Sequence, residues 1–196
     1  MKKPWDYHSD LTKERLVAIA TLLRDARQNA LDRYAPEKGC NGWTLGCEAF
    51  AFGCAKLKTA AGGAGFEWLD ILDPTMRFMF TVGDVIARFY HGAADEPNSR
   101  TLKVSYSELR QGILDFGDTP AGELVFRFAV ETDGLGEVTV ISFTGLLGNA
   151  PEFVYEIPLD PATPALAPFT LPKAEGVELP KPVVRKPSDD KKTGEG

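Results

Sequence analysis

The stretch "GCNGWTLGCEAFAFGC", residues 39 to 54, holds the chain's three cysteines, Cys40, Cys47 and Cys54, at intervals of seven. Thiols serve as metal ligands, redox centres and nucleophiles, so their spacing is the first thing to weigh. On a helix, a seven-residue step covers about 10 Å, from a rise of about 1.5 Å per residue. A disulfide needs Cα atoms within about 7 Å, and two thiolates on one zinc ion also sit closer than that step allows. Cys47 and Cys54 therefore neither pair nor share a metal if this segment is helical. Cys40 precedes the helix and stays open as a loop thiol near a helix start, with His91 as a distant candidate base. No C-x2-C pair occurs, and His8 and His91 are the only two histidines. Neither a metal nor a cofactor is expected. The remaining reading is a packed helix face of small apolar residues, with Gly46 and Gly53 letting another backbone approach closely.

A second group of candidates is basic and aromatic. Arg77, Arg88, Tyr90, His91 and Arg100 lie in or beside "MRFMFTVGDVIARFYHGAADEPNSR". If they gather at one edge of a sheet, they make a possible site for a phosphate or carboxylate, because arginine presents a planar fork of donors. The ordinary reading of the same residues is a mixed strand surface. Carboxylates are plentiful, but no pair has diagnostic spacing. The glycine-rich "AAGGAGFEW" follows a helix and lacks a P-loop lysine, so it reads as a connector.

The elements that would position these residues follow from periodicity. Residues 10 to 35 carry Leu16, Ile19, Ala20, Leu23, Ala26, Ala30, Leu31 and Tyr34 at helical spacing. Ser9 or Asp10 is the expected cap, and Ala35-Pro36 the stop. Residues 43 to 60 form a second helix, capped by Asn41 or Thr44, and the two make a helical hairpin. The period then switches to two. "FEWLDIL" is a candidate strand, and Gly83-Asp84 joins two more through a type II′ turn. That register sets Val82 opposite Val85, Phe80 opposite Ala87 and Phe78 opposite Phe89. The other face of this hairpin is only half polar, so something should cover it.

"YSELRQGILDF" reads as a short inserted helix capped by Ser105 or Ser107. Two strands within residues 124 to 145 and one in "PEFVYEIPL" complete the set. The expected fold is α+β: an N-terminal helical hairpin packed on an antiparallel meander of about six strands. Residues 1 to 158 would be the single globular domain. Eight prolines fall between Pro158 and Pro187. Residues 159 to 176 then read as a Pro-rich strap, and 177 to 196 as a disordered tail.

Composition narrows the function classes. The 196 residues are 43% hydrophobic with a net charge of −6 and a pI of about 5.0. General affinity for nucleic acid is not expected of such a chain. No secretory pattern and no run of about 18 apolar residues occurs. An odd cysteine count without a signal points to a cytoplasmic, reducing setting.

The segment "MRFMFTVGDVIARFYHGAADEPNSR" together with "GWTLGC" resembles uncharacterised proteins of bacterial and mobile-element loci. Those proteins are encoded beside helix-turn-helix regulators that carry a zinc-peptidase-like domain, in toxin–antitoxin and phage-defence systems among others. The resemblance covers residues 10 to 158 and its motifs are structural in type. It implies a partner-binding or toxin-like role, with a neighbouring-gene regulator as the candidate partner. The residues themselves favour a non-enzymatic interaction protein. The alternatives are an effector acting on RNA or nucleotides through the arginines of this group and His91, and a small-ligand-binding domain.

Overall fold

Thr12 starts the first helix: its side chain accepts the Arg15 backbone N–H at 3.3 Å, and α1 runs Lys13–Leu31. The cap thus lies two residues beyond Asp10, and the helix stops short of Ala35-Pro36, which open a separate 3-10 turn, Pro36–Lys38. The expected stripe from Leu16 to Ala30 is buried, while Tyr34 lies beyond the helix and is exposed. Helix α2, Gly42–Ala60, is capped by Asn41, with Thr44 returning a hydrogen bond to the Asn41 N–H. This computed structural model describes residues 2–97, 103–105, 108, 124–148 and 150–159.

Six strands follow: β1 Leu69–Asp73, β2 Met79–Val82, β3 Val85–His91, β4 Leu124–Thr132, β5 Val138–Leu147 and β6 Ala150–Glu156. They form one sheet in sequence order. Four of the five pairings are antiparallel, as expected of short connections. The meander breaks at β3 and β4, which run parallel, with Phe89 beside Phe128 and His91 beside Val130. A parallel pair requires a crossover of a dozen or more residues, and the connection from Gly92 to Glu123 is long enough.

The helices cover one face of this sheet. Leu16, Ile19, Leu23 and Leu57 join Phe80, Phe126, Phe128 and Phe143 in one core. Phe126 and Phe143 stack with centroids 5.7 Å apart, and Phe128 meets Phe143 edge-on at 4.9 Å. Aromatic pairs in these geometries add to the stabilisation from area burial alone.

The crossover treats the second face as the half-polar pattern anticipated. Val125, Arg127 and Ala129 of β4 and Ser142, Thr144 and Leu146 of β5 are all buried on that side. Glu108 reaches down and pairs with the Arg127 guanidinium. The other Glu108 oxygen accepts the Ser105 backbone N–H at 2.7 Å, while Ser105 Oγ accepts the Glu108 N–H at 3.3 Å. This is the reciprocal cap expected of Ser105; apart from Glu108, the helix predicted there lies outside the described residues. Leu159 packs against the core, and the remaining strap and tail positions also lie outside them. The chain divides into two units, Met1–Thr163 and Pro164–Gly196.

The β2–β3 turn shows how tightly the N-terminus is registered. Gly83 has φ +61° and, among the described residues, none other than glycine has positive φ, so Asp84 does not, which fits type II′ rather than I′. Asp10 folds over the turn. Its carboxylate accepts the Asp84 N–H at 3.0 Å and the Arg15 guanidinium at 2.5 Å. The Asp84 bond foremost, with Arg15, holds the Asp10 carboxyl below its ordinary pKa against an opposing push from burial. A Cβ on Gly83 would lie 2.2 Å from Asp10 Cγ. Gly83→Ala therefore combines backbone strain with a clash, and is expected to cost ~2 kcal/mol or more in urea denaturation.

Glu108 and Arg127 generate a second expectation. Removing one partner strands a buried charge, so Glu108→Ala should lose about 3–5 kcal/mol. A Glu108→Leu, Arg127→Met double variant should lose less than either single change, as measured by a double-mutant cycle in denaturant.

Candidate functional site

Phe50, Cys54 and Phe89 form the inner wall of a cleft of about 1030 Å³ between α2, the β1–β2 loop and the last residues of β3. Its position follows from unequal strand lengths. β2 begins at Met79, and its pairing with β3 ends at Phe80 opposite Ala87. The expected Phe78–Phe89 register is not made as a strand pair, although the two rings meet edge-on with centroids 6.1 Å apart. Phe78 instead gives its N–H to the Thr75 carbonyl at 3.0 Å. β3 thus outruns β2, and the gap beside Phe89, Tyr90 and His91 becomes the cleft. At its far end Lys58 ties α2 to the loop, donating to the Pro74 carbonyl at 3.1 Å.

The small-residue helix surface splits into two roles here. A Cβ on Gly53 would lie 2.8 Å from the Phe89 ring. The close approach expected of Gly53 is therefore real, but an aromatic ring makes it rather than a backbone. Phe50 stacks on the same ring with centroids 5.1 Å apart. A Cβ on Gly46 would meet nothing within 4 Å, so the close approach expected there is not made, and Gly46 lines the cleft with Cys47.

All three thiols are free. Burial pushes the Cys54 thiol up to about 11, which keeps it protonated and weakly nucleophilic at neutral pH. Among the described residues, no group of three or more His, Cys, Asp and Glu is placed to hold a metal ion.

Of the basic and aromatic candidates, Arg88, Tyr90 and His91 all line the cleft. Strand alternation sets them on different faces. Arg88 and Tyr90 share the second face with Arg127, its register partner being Arg88. Arg88 donates to the Lys103 carbonyl at 3.2 Å. The Tyr90 hydroxyl donates to the Ala93 carbonyl at 2.9 Å, and burial, with Glu131 next in weight, pushes it up to about 12. Arg77 is exposed and, with Arg88, helps hold the Asp73 carboxyl below its ordinary range, where hydrogen bonds from Thr75 dominate. Arg100 lies outside the described residues. Of the four described candidates, Arg88, Tyr90 and His91 line the cleft beside Lys58 and Arg127, and Arg77 does not.

His91 faces the helices. Both of its ring nitrogens are buried without a hydrogen-bond partner among the described residues. Burial first, and the nearby Arg27 guanidinium second, push its pKa down to about 4. Arg27 itself is buried and gives its Nε–H to the Gly136 carbonyl at 2.7 Å. A neutral imidazole in this setting is unsuited to act as a general acid near pH 7.

Arg127 and Glu108 are the site's neighbours that sequence reasoning did not single out. The signal was present in "VFRFAV", where an arginine alternates with inward phenylalanines and so must fall on the other face. Its burial, however, depends on the crossover. Trp43 and Met76, 76% and 84% exposed, were also not singled out, yet both line the cleft. No protein-family model, curated protein or solved structure matches the chain. Among the described residues, no helix is long and apolar enough to cross a membrane.

The environment of His91 gives a pH expectation. The folded protein keeps the ring neutral down to about pH 4, whereas the unfolded chain protonates it near pH 6.5. Between those values the unfolded state binds more protons, so this group makes stability rise with pH and then level off above about 6.5. Its slope cannot exceed ~1.4 kcal/mol per pH unit. His91→Phe should flatten that part of the profile, measured as urea midpoints at several pH values for variant and parent.

Proposed function

We propose that the chain is a non-enzymatic, protein-binding component of a bacterial two-gene module of the toxin–antitoxin or defence type, working in the cytoplasm. One observation carries the binding role: two large apolar side chains, Trp43 and Met76, stand exposed on a cleft whose inner wall is Phe50, Cys54 and Phe89. Tryptophan is enriched among the residues that dominate binding energy, and methionine suits adaptable surfaces. The placement of the module rests on the resemblance of residues 10 to 158 to proteins encoded beside regulators, which makes such a regulator the candidate partner.

The effector alternative draws less support. Nucleic-acid cleavage by Arg88 and His91 needs the imidazole to exchange protons near neutrality, and its burial opposes that. The small-ligand alternative is favoured by the cleft volume, which is the size of an ordinary ligand pocket.

Affinity purification from the native host tests the reading. A Trp43→Asp, Met76→Asp variant should keep the parent's thermal stability, since both side chains are exposed, and should lose a protein that co-purifies with the parent. Purification of parent and variant with the same companions, or with none, would contradict the proposal. A thermal-shift screen that raised Tm with small metabolites alone would favour the ligand-binding alternative.

A further inference from the structure

The gap left by β2 leaves the end of β3 without a described strand partner on that side. In an antiparallel hairpin closed by two loop residues, the pair beside the loop exchanges both hydrogen bonds, and alternate residues repeat that phase. Val85 and Ala87 therefore direct their N–H and C=O groups toward β2, opposite Val82 and Phe80. Phe89 and His91 continue the phase. Their N–H and C=O groups point to the side where β2 has not begun, and no described strand pairs there. The intervening residues bond the other way, as the parallel pairing with β4 and the Gly92 N–H to the Val130 carbonyl at 3.0 Å show. An unpaired edge of this kind is a template for strand addition.

Charge adds a second constraint. The described lining residues of the cleft include Lys58, Arg88 and Arg127 and no Asp or Glu, in a chain whose net charge is −6. Glu108 matches the Arg127 charge. The Arg88 and Lys58 cations meet the carbonyls of Lys103 and Pro74, neutral acceptors that do not cancel them. Asp73 stands near Arg88 but is shared with Arg77. A positive cleft in an acidic protein selects for anionic partners.

We propose that the cleft receives an extended peptide strand of alternating apolar and acidic residues, paired to β3 at Phe89 and His91. Strand geometry sorts the two kinds of side chain. Those on the helix side meet Phe50 and Cys54, and those on the opposite side reach Arg88. The inference rests on the protein-binding reading above and adds the backbone mode and the charge of the partner segment.

The probe is a capped hexapeptide of alternating Leu and Glu, titrated calorimetrically into the full chain, with Trp43 emission as a second readout. Its Leu–Lys counterpart should bind at least about tenfold more weakly, and Arg88→Glu should reverse the preference. Two further Leu–Glu peptides carry backbone N-methyl groups in one alternation phase or the other. One phase should lose about tenfold or more in affinity while the other binds as the parent peptide does. Equal binding by both N-methylated forms, no charge preference, or no binding by any of the peptides would overturn strand addition by an acidic segment. The protein-binding reading is judged separately, by whether Trp43→Asp, Met76→Asp loses its companion. Loss of that companion together with failed peptide titrations would mean that the cleft binds a protein in another way.

Discussion

Arg127 carries a charge almost wholly beneath the protein surface, at the wall of the cleft, and much of the architecture answers to that fact. Its side chain is 1% exposed. A guanidinium so placed needs a carboxylate and further acceptors, and it has Glu108 together with the carbonyls of Phe126 and Lys103. Glu108 belongs to the connection between β3 and β4. The pair therefore holds residues 103–105 and 108 of that connection against the face of the sheet opposite the helices. Burial lowers the Arg127 pKa, and Glu108 pulls it back up. The same carboxylate also closes the Ser105 cap, so one side chain fixes both a turn and a sheet face.

β4 pairs parallel to β3, and this places β3 inside the sheet with β2 on its other flank. β2 is four residues long and β3 seven. Among the described residues, the surplus at the end of β3 has no strand partner on the β2 side, and α2 closes over it only in part. At Gly53 the helix touches the Phe89 ring, while around Gly46 and Cys47 it stands away. The cleft thus follows from the unequal lengths of β2 and β3 and from a helix that meets the Phe89 ring at Gly53 but leaves open space at Gly46. Its chemistry follows from where it falls: apolar on the helix side but for Lys58, and cationic on the other, where Arg88 and Arg127 lie.

Much of the local structure was legible beforehand. The helical stripe from Leu16 to Ala30, the Asn41 cap, the Gly83 turn with its first two cross-strand pairs, and the Ser105 cap each depend on residues close in sequence. Such features are governed by backbone sterics and by hydrogen bonds a few residues long, which residue type and spacing encode directly. The cap of α1 was misplaced by two residues because Asp10 is occupied elsewhere: it binds the Asp84 N–H, a contact with a segment distant in sequence. The stop of α1 came early because the helix ends before the proline that would have ended it.

The cysteine spacing on α2 is instructive in the same way. The interval of seven was enough to keep Cys47 and Cys54 from pairing or sharing a metal, because the rise of a helix is a local constant. It did not distinguish Gly53, pressed against an aromatic ring, from Gly46, which faces open space. That difference depends on which strand lies beneath each turn of the helix. Likewise Arg88, Tyr90 and His91 were recognisable as neighbours on one strand, but their division between a buried imidazole and two groups on the far face required the packing of both layers. Periodicity can place a residue on one side of an element; what lies against that side is decided by contacts between segments far apart in the chain, whose energies no local pattern carries.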